Sequence, residues 1–281
     1  MKLPSIDIAK SMFLLPSLLL VTVLLGLPLV VIFVSSFQPN ALFPFNRAGL
    51  FNYAYLVGSQ YYVGILVRTL RLAIMGALIT VPLGYVTAML LQRISGRAAN
   101  LAMMGLTFPI LAGPLVVILG WMALLPNRGP LFGPLVDAGW ISPPDLLGTE
   151  YAVLASLVQF MLPFAILTLY TSLRQIPNDL YEASQNLGAN ALQKFMHITL
   201  PLSLPGILSS TIIVFSLGAS SYISPHYLGG AADQTLTTLI AQFVLVTYNS
   251  PMAAAAAILL IAIMIVFIFG VGTLFSRLIR P

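Results

Sequence analysis

Few residues of this chain can do chemistry, and they stand far apart. The two histidines, His197 and His226, have no partner at metal-ligand spacing. There is no cysteine, which removes disulfides, thiolate metal ligands and a cysteine nucleophile. No Gly-Lys pair occurs, so the chain cannot cradle ATP phosphates in a P-loop of its own. G-x-S-x-G, H-E-x-x-H and paired carboxylates within an apolar stretch are absent too. No catalytic group, metal site or cofactor of its own is expected. What stands out instead is a polar stretch, Pro177 to Pro205, in an otherwise apolar chain. It carries Glu182-Ala183-Ser184, three residues, Gly188, nine residues, then Ile198-Thr199-Leu200-Pro201. A loop this long, with helix signals of its own, reads as a docking surface rather than a connector.

The local signals give that stretch two short helices. Asp179 followed by Glu182 has the spacing of a capping box, so one helix is expected to start there. Gly188 supplies a left-handed stop without strain. Asn190 and Gln193 repeat the cap pattern, and Pro201 is expected to end the second helix. A plain connector needs about 2–8 residues; this one is far longer and folded.

The elements that position it are membrane spans. Of 281 residues, 59% are hydrophobic and 7% charged, with mean hydropathy +1.00. Soluble domains carry about 25% charged residues, so the chain reads as an all-α polytopic membrane protein. Its net charge of +5 is scattered between apolar runs and reads as topology rather than nucleic-acid binding. With about 20 apolar residues per crossing, six transmembrane helices are expected: 11–35, 63–91, 98–125, 151–173, 206–223 and 252–275. The run from Met12 to Val34 is too long for a signal peptide, and no small-residue cleavage site follows it. Prolines 16, 28, 82 and 163 fall inside these runs, and the third run is expected to be broken by Pro109 and Pro114. They are read as kinks, either for packing or for helices that flex.

Lysine and arginine set the orientation. With a cytoplasmic N-terminus, Lys2, Lys10, Arg93, Arg97, Arg174, Lys194, Arg277 and Arg280 lie inside. Arg47, Arg68, Arg71 and Arg128 then lie outside. Both termini are thus expected to be cytoplasmic, and the 177–205 loop lies on the same side. Of the outer segments, 37–62 is rich in aromatics that suit interfacial anchoring, and an amphipathic piece is expected there. The loop 126–150 reads as an ordered surface loop, and Leu236 to Val246 as a short helix dipping toward the membrane. No linker, low-complexity tract or long repeat appears. The expectation is a single transmembrane domain over 1–281, with a core over 60–275.

The 177–205 spacing resembles the EAA loop of ABC importer permeases: E-A-A, three residues, G, nine residues, I-x-L-P. Ser184 is the one departure, where alanine is usual. Arg68-Thr69-Leu70 to Pro82-Leu83-Gly84-Tyr85 resembles the second core helix of the same family, and Pro114 to Gly129, Leu202 to Ile207, and Ser224-Pro225 with Leu228-Gly229-Gly230 are similar to its spermidine/putrescine-type, PotB-like branch. The family often has asparagine where Arg68 stands. The resemblance implies a type I ABC importer permease (MetI-like) fold in the bacterial inner membrane. It implies an ABC ATPase dimer, a second permease subunit and an extracytoplasmic solute-binding protein as partners, with ATP and Mg held by the ATPase. It makes Tyr181, Glu182, Ala183, Ser184, Gly188, Ala189, Ile198, Leu200 and Pro201 the ATPase-docking set, in a coupling helix that joins transport to hydrolysis.

The solute path is less defined. Trp121, Tyr170 and Tyr222 offer aromatic faces to a cation, and Ser220 and Ser221 lie beside Tyr222. A polyamine-type relative is expected to carry an acidic residue near Gly218-Ala219-Ser220-Ser221-Tyr222; this chain has serines. That leaves polyamine-like solutes, opines, aminophosphonates and quaternary amines all open. Ser220 and Ser221 serve either close helix packing or solute contact. The competing reading, a self-sufficient secondary carrier or channel, needs an ion-coupling site or a polar pore, and the spans hold almost no ionisable residue away from their ends.

Overall fold

The computed structural model describes residues 8–39, 49–230 and 233–279. Among them the only regular secondary structure is helical, in thirteen α-helices and one π-helical turn. In chain order the helices are α1 (Ile8–Ser35), α2 (Phe51–Gly58), α3 (Gln60–Gln92), α4 (Gly96–Ala112), α5 (Pro114–Leu124), α6 (Gly133–Asp137) and α7 (Glu150–Arg174). They continue with α8 (Asn178–Asn186), α9 (Ala191–Lys194), the π turn (Phe195–Thr199), α10 (Leu200–Ala219), α11 (Ile223–Leu228), α12 (Leu236–Leu245) and α13 (Ser250–Ile279). Phe43, Phe45 and Arg47 of the first outer segment lie outside the described residues, as do Lys2 and Arg280.

Four helical runs are long and apolar enough to cross a membrane: Gln60–Gln92, Glu150–Arg174, Ala191–Ala219 and Ser250–Phe275. The bent pair α4 and α5 makes a fifth if counted as one span. The protein is therefore multi-pass. The first expected span falls in α1, whose described apolar part is Leu19–Ser35.

The chain divides into two compact units. The first comprises Met1–Gln60 and Ile240–Leu259. In it, Asn52 on α2 donates to the carbonyls of Ser36 and Gln38 at 2.9 and 3.0 Å. The Tyr53 hydroxyl reaches Ser36 Oγ at 2.7 Å. These bonds close the C-terminal end of α1 onto α2. Asn249 caps α13, its Oδ1 accepting from Met252 N at 3.3 Å.

The second unit comprises Tyr61–Leu239 and Leu260–Pro281. Its core is apolar and close-packed: Leu72 and Ala73 from α3, Val153, Leu157, Met161 and Ile166 from α7, and Val214 and Phe215 from α10 are all buried. α7 packs along α10. One cross-link ties the C-terminal part of α3 to the N-terminal end of α10, Tyr85 to Ser203 at 2.8 Å. The Ser203 hydroxyl donates to the Leu200 carbonyl, so Tyr85 is the donor of the pair.

Two expectations about prolines are corrected. Pro109 lies within α4, and the third apolar run breaks once, at Gly113, with α4 and α5 meeting at 97°. Gly113 has φ +78°, a conformation open to glycine. It precedes Pro114, whose ring disfavours a helical residue before it and itself suits a helix start. Pro201 does not end a helix either. The chain is helical from Ala191 to Ala219, so the second loop helix and the fifth span are one element. Just before Pro201 the helix widens into the π turn, where the Leu200 N–H reaches back five residues to the Phe195 carbonyl. A proline has no N–H and crowds the carbonyl four residues back; a widened turn relieves that conflict without ending the helix. The span itself stops at Ala219, short of the expected Ile223, because the chain turns at Ser220 before α11.

Candidate functional site

The 177–205 segment is held by its own hydrogen bonds. α8 begins two residues earlier than the Asp179–Glu182 spacing suggests. Pro177 is its N-cap, in extended conformation, and no side chain caps it. Asp179 instead sits in the first turn, where its charge favours the helix dipole. Glu182 makes no cap bond and no ion pair among the described residues, and it is exposed. The C-terminal end matches the sequence reading. Gly188 has φ +76°. Its N–H bonds the Gln185 carbonyl at 2.9 Å, and the Ala189 N–H bonds the Ser184 carbonyl at 3.0 Å. This pair of bonds is a Schellman motif. Asn190 and Gln193 then form a full capping box, each side chain accepting from the other's backbone N–H at 2.9 Å.

The two arms of the elbow are pinned together. The Tyr181 hydroxyl lies 3.1 Å from Thr199 Oγ1 in the π turn. The Ser184 hydroxyl donates to the Tyr181 carbonyl at 2.7 Å. Ser184, Gly188, Ala189 and Ile198 line one notch of about 380 Å³ together with Leu187, Gln193, Lys194 and His197. Leu200 and Pro201 continue from it as the start of α10. Around this frame Leu180, Ala183, Leu187, Leu192 and Met196 are exposed. Leu187 is 87% exposed at the tip of the elbow. An elbow with a fixed backbone and a bare apolar rim can insert into a complementary groove.

A second feature lies among α5, α7 and the turn from α10 to α11. A cavity of about 380 Å³ is lined by Pro114, Val117 and Ile118, by Ser156 and Phe160, and by Leu217 and Ser220 to Ser224. No charged side chain lines it. Ser156 and Ser220 donate their hydroxyl protons to the carbonyls of Val153 and Ser216, both within 2.8 Å. Toward the cavity they are left as acceptors. Tyr222 stacks on His226 at 4.9 Å between ring centroids. Trp121 continues the Pro114, Val117, Ile118 face of α5 by one turn and bonds the Gln159 side chain through its indole N–H. The structure thus gathers Ser220, Ser221 and Tyr222 at the cavity, with Trp121 one turn beyond. Tyr170 is not among them. It lies at the other end of α7, beneath the Arg174 guanidinium 5.5 Å from its ring centre.

Pairing of charges across the second unit was not legible in the sequence. Arg71 makes a two-point contact with Glu150, one bond at 3.0 Å and one shorter. Arg68 lies 4.0 Å from Asp233 and bonds the Gln234 carbonyl at 3.4 Å. These ties run from the start of α3 to the start of α7 and to the segment before α12. They join residues about 80 and 165 positions apart, which no local pattern announces. Among the described residues no three His, Cys, Asp or Glu side chains gather as a metal site.

Comparison with known proteins covers most of the chain. Residues 80–280 match the model of the family described as binding-protein-dependent transport system inner membrane component. The chain is 31% identical over 225 residues to the spermidine/putrescine transport system permease protein PotB of Haemophilus influenzae, spanning 80% of this chain and 76% of that one. It is 30% identical over 214 residues to PotB of Escherichia coli, 76% and 78% of the two chains. Among solved structures, a chain of a bacterial ABC transporter involved in import of the acidic polysaccharide alginate superposes with TM-score 0.77 at 18% identity, over 98% of this chain and 97% of that one. A chain of the MetNI methionine ABC transporter in an inward-facing conformation gives TM-score 0.55 at 20% identity, over 79% and 100%. The likeness to these structures is one of fold.

Proposed function

The chain belongs to the family of binding-protein-dependent transport system inner membrane components, and from that premise we propose that it is one permease subunit of a bacterial ATP-driven importer. It crosses the inner membrane six times with both termini in the cytoplasm. Its charges support that orientation. Arg93, Arg97, Arg174 and Lys194, at one end of the spans, have no acidic partner among the described residues, whereas Arg68 and Arg71 at the other end are matched by Asp233 and Glu150. Unmatched positive charge marks the cytoplasmic side.

The observation that carries the mechanism is the 177–205 elbow. Its backbone is fixed by the Gly188 Schellman motif and the Asn190–Gln193 box, yet its rim of Leu180, Leu187, Leu192 and Met196 is bare. We read it as the coupling loop that docks on a separate ATPase dimer, where ATP and Mg are bound. Glu182 is free to meet a basic side chain there. Tyr181 and Thr199 tie the elbow to α10, so a push on the elbow is delivered to the helix that ends at Ala219, just before Ser220 at the cavity. An extracytoplasmic binding protein delivers the solute, and a second permease subunit completes the path.

The cavity bounded by Ser156, Phe160, Ser220, Ser221 and Tyr222 is this subunit's share of the path, with Trp121 beside it. It offers hydroxyl acceptors and aromatic faces but no carboxylate. That suits a small organic solute of the polyamine-like, opine or aminophosphonate class. A polycation would have its charge compensated elsewhere in the assembly, because an unpaired buried charge is costly.

Leu187→Asp tests the docking role. Leu187 is almost fully exposed, so the change disturbs no packing. The expected result is loss of the co-purifying ATPase by about tenfold or more, on the scale of an interface hot spot. Unchanged retention of the ATPase would sink the assignment.

A further inference from the structure

The inner ends of α3 and α7 border a cavity of about 640 Å³ that meets the 177–205 elbow at Pro177, Asn178 and Tyr181. Gln92, the last residue of α3, and Arg174, the last of α7, both line it, with Ser95, Tyr170, Asn178 and Tyr181. Since α3 and α7 are membrane spans, a cavity at their ends sits at the boundary between the apolar layer and water. Its lining includes one cation and no acid. Arg174 rests against the Tyr170 ring, an arrangement that leaves guanidinium N–H edges free to donate. Arg93 falls between the lining residues Gln92 and Ile94, and Arg97 lies two positions after Ser95. None of these three arginines has an acidic partner among the described residues. Asp179 neighbours Asn178 in the chain but does not line the cavity.

From this boundary α4 carries an apolar stripe. Leu101, Met104, Phe108 and Leu111 recur at steps of three and four residues and are all exposed. Ser95, which lines the polar, cationic cavity, is also the N-cap of α4, so a helix with a bare apolar face starts at the cavity's edge. One class of molecule has both halves of that chemistry. We propose that the cavity holds the headgroup of an anionic phospholipid, with an acyl chain lying along α4. Arginine clusters at the ends of spans attract anionic headgroups by charge, and the α4 stripe distinguishes a lipid from a free phosphate or nucleotide. The site rests on the spanning role of α3 and α7, not on the coupling role of the 177–205 elbow.

Native mass spectrometry of the assembled complex in mild detergent, titrated with phosphatidylglycerol or phosphatidylcholine, tests it. Phosphatidylglycerol should be retained in preference to phosphatidylcholine. Arg174→Gln should weaken that retention about fivefold, and the double change Arg93→Gln with Arg97→Gln by more, since each arginine near an anionic headgroup contributes about that factor. Phosphatidylcholine retention should not change. Equal retention of the two lipids, or wild-type behaviour of both variants, would overturn the site. Displacement of phosphatidylglycerol by millimolar inorganic phosphate would overturn it in favour of a free-anion site. Retention by the lone chain but not by the complex would overturn it in favour of a second permease covering α4. Arg174 is exposed, and an unchanged melting temperature in Arg174→Gln separates lost binding from lost folding.

Discussion

Replacing Gly188 separates the backbone of the elbow from its side chains. Gly188 stands at φ +76°, and nothing lies within 4 Å of where a Cβ would be. A substitution therefore meets no clash, and its whole cost is conformational. A left-handed backbone costs an ordinary L-residue about 1–2 kcal/mol. Gly188→Ala should thus open the two Schellman bonds, at Gly188 and Ala189, about 5–30-fold more often. Asparagine tolerates the left-handed region, so Gly188→Asn should lose much less. Gly188→Val should lose most, because a β-branched side chain is the poorest fit at positive φ. The segment is exposed, so global stability should hardly change. Hydrogen exchange at amides 188 and 189 of the lone chain reads the backbone effect. ATPase stimulation by solute-loaded binding protein in the assembled complex reads coupling. Protection from exchange and ATPase stimulation should both fall in the order Gly, Asn, Ala, Val. Wild-type exchange in Gly188→Val, or asparagine as harmful as valine, would refute the reasoning.

Two further outcomes test the core of the second unit. Met161 is fully buried among α3, α7 and α10, so Met161→Ala should lower unfolding free energy by about 2–5 kcal/mol; thermal unfolding in detergent checks this, and a change below about 1 kcal/mol would contradict the packing. Thr80 and Ser210 bury hydroxyls that have no hydrogen-bond partner among the described residues. Thr80→Val with Ser210→Ala should leave the melting temperature unchanged or raise it, since an unpaired buried polar atom is a liability, and a marked drop would show that these hydroxyls are bonded.

The fold was legible where the signal is local. Apolar runs of sufficient length mark the spans over α3, α7 and α13, and the short helix near 236–246 appears as α12. Gly188 and the Asn190–Gln193 pair each act within three or four residues, so their spacing in the sequence is their geometry in the structure. Proline was the misleading residue. A proline after a π turn continues a helix, while Gly113, which carries no warning beyond the proline that follows it, breaks one by 97°. The start of α8 moved because an extended Pro177 supplies the N-cap conformation and displaces Asp179 into the first turn. At the cavity, sequence could propose Ser220, Ser221, Tyr222, Trp121 and Tyr170 by residue type. It could not separate them by depth, and the structure puts Tyr170 at the far end of α7. The pairing of Arg68 and Arg71 with Asp233 and Glu150 needed the fold, because it depends on where three distant segments meet.

The most direct measurement is mass spectrometry of what co-purifies with this chain in mild detergent, joined to transport by the same preparation in liposomes. The account predicts a P-loop ATPase and a second, non-identical six-helix subunit in the complex, with transport that requires ATP and binding protein. The chain recovered alone, still moving solute in liposomes without ATP, would contradict it.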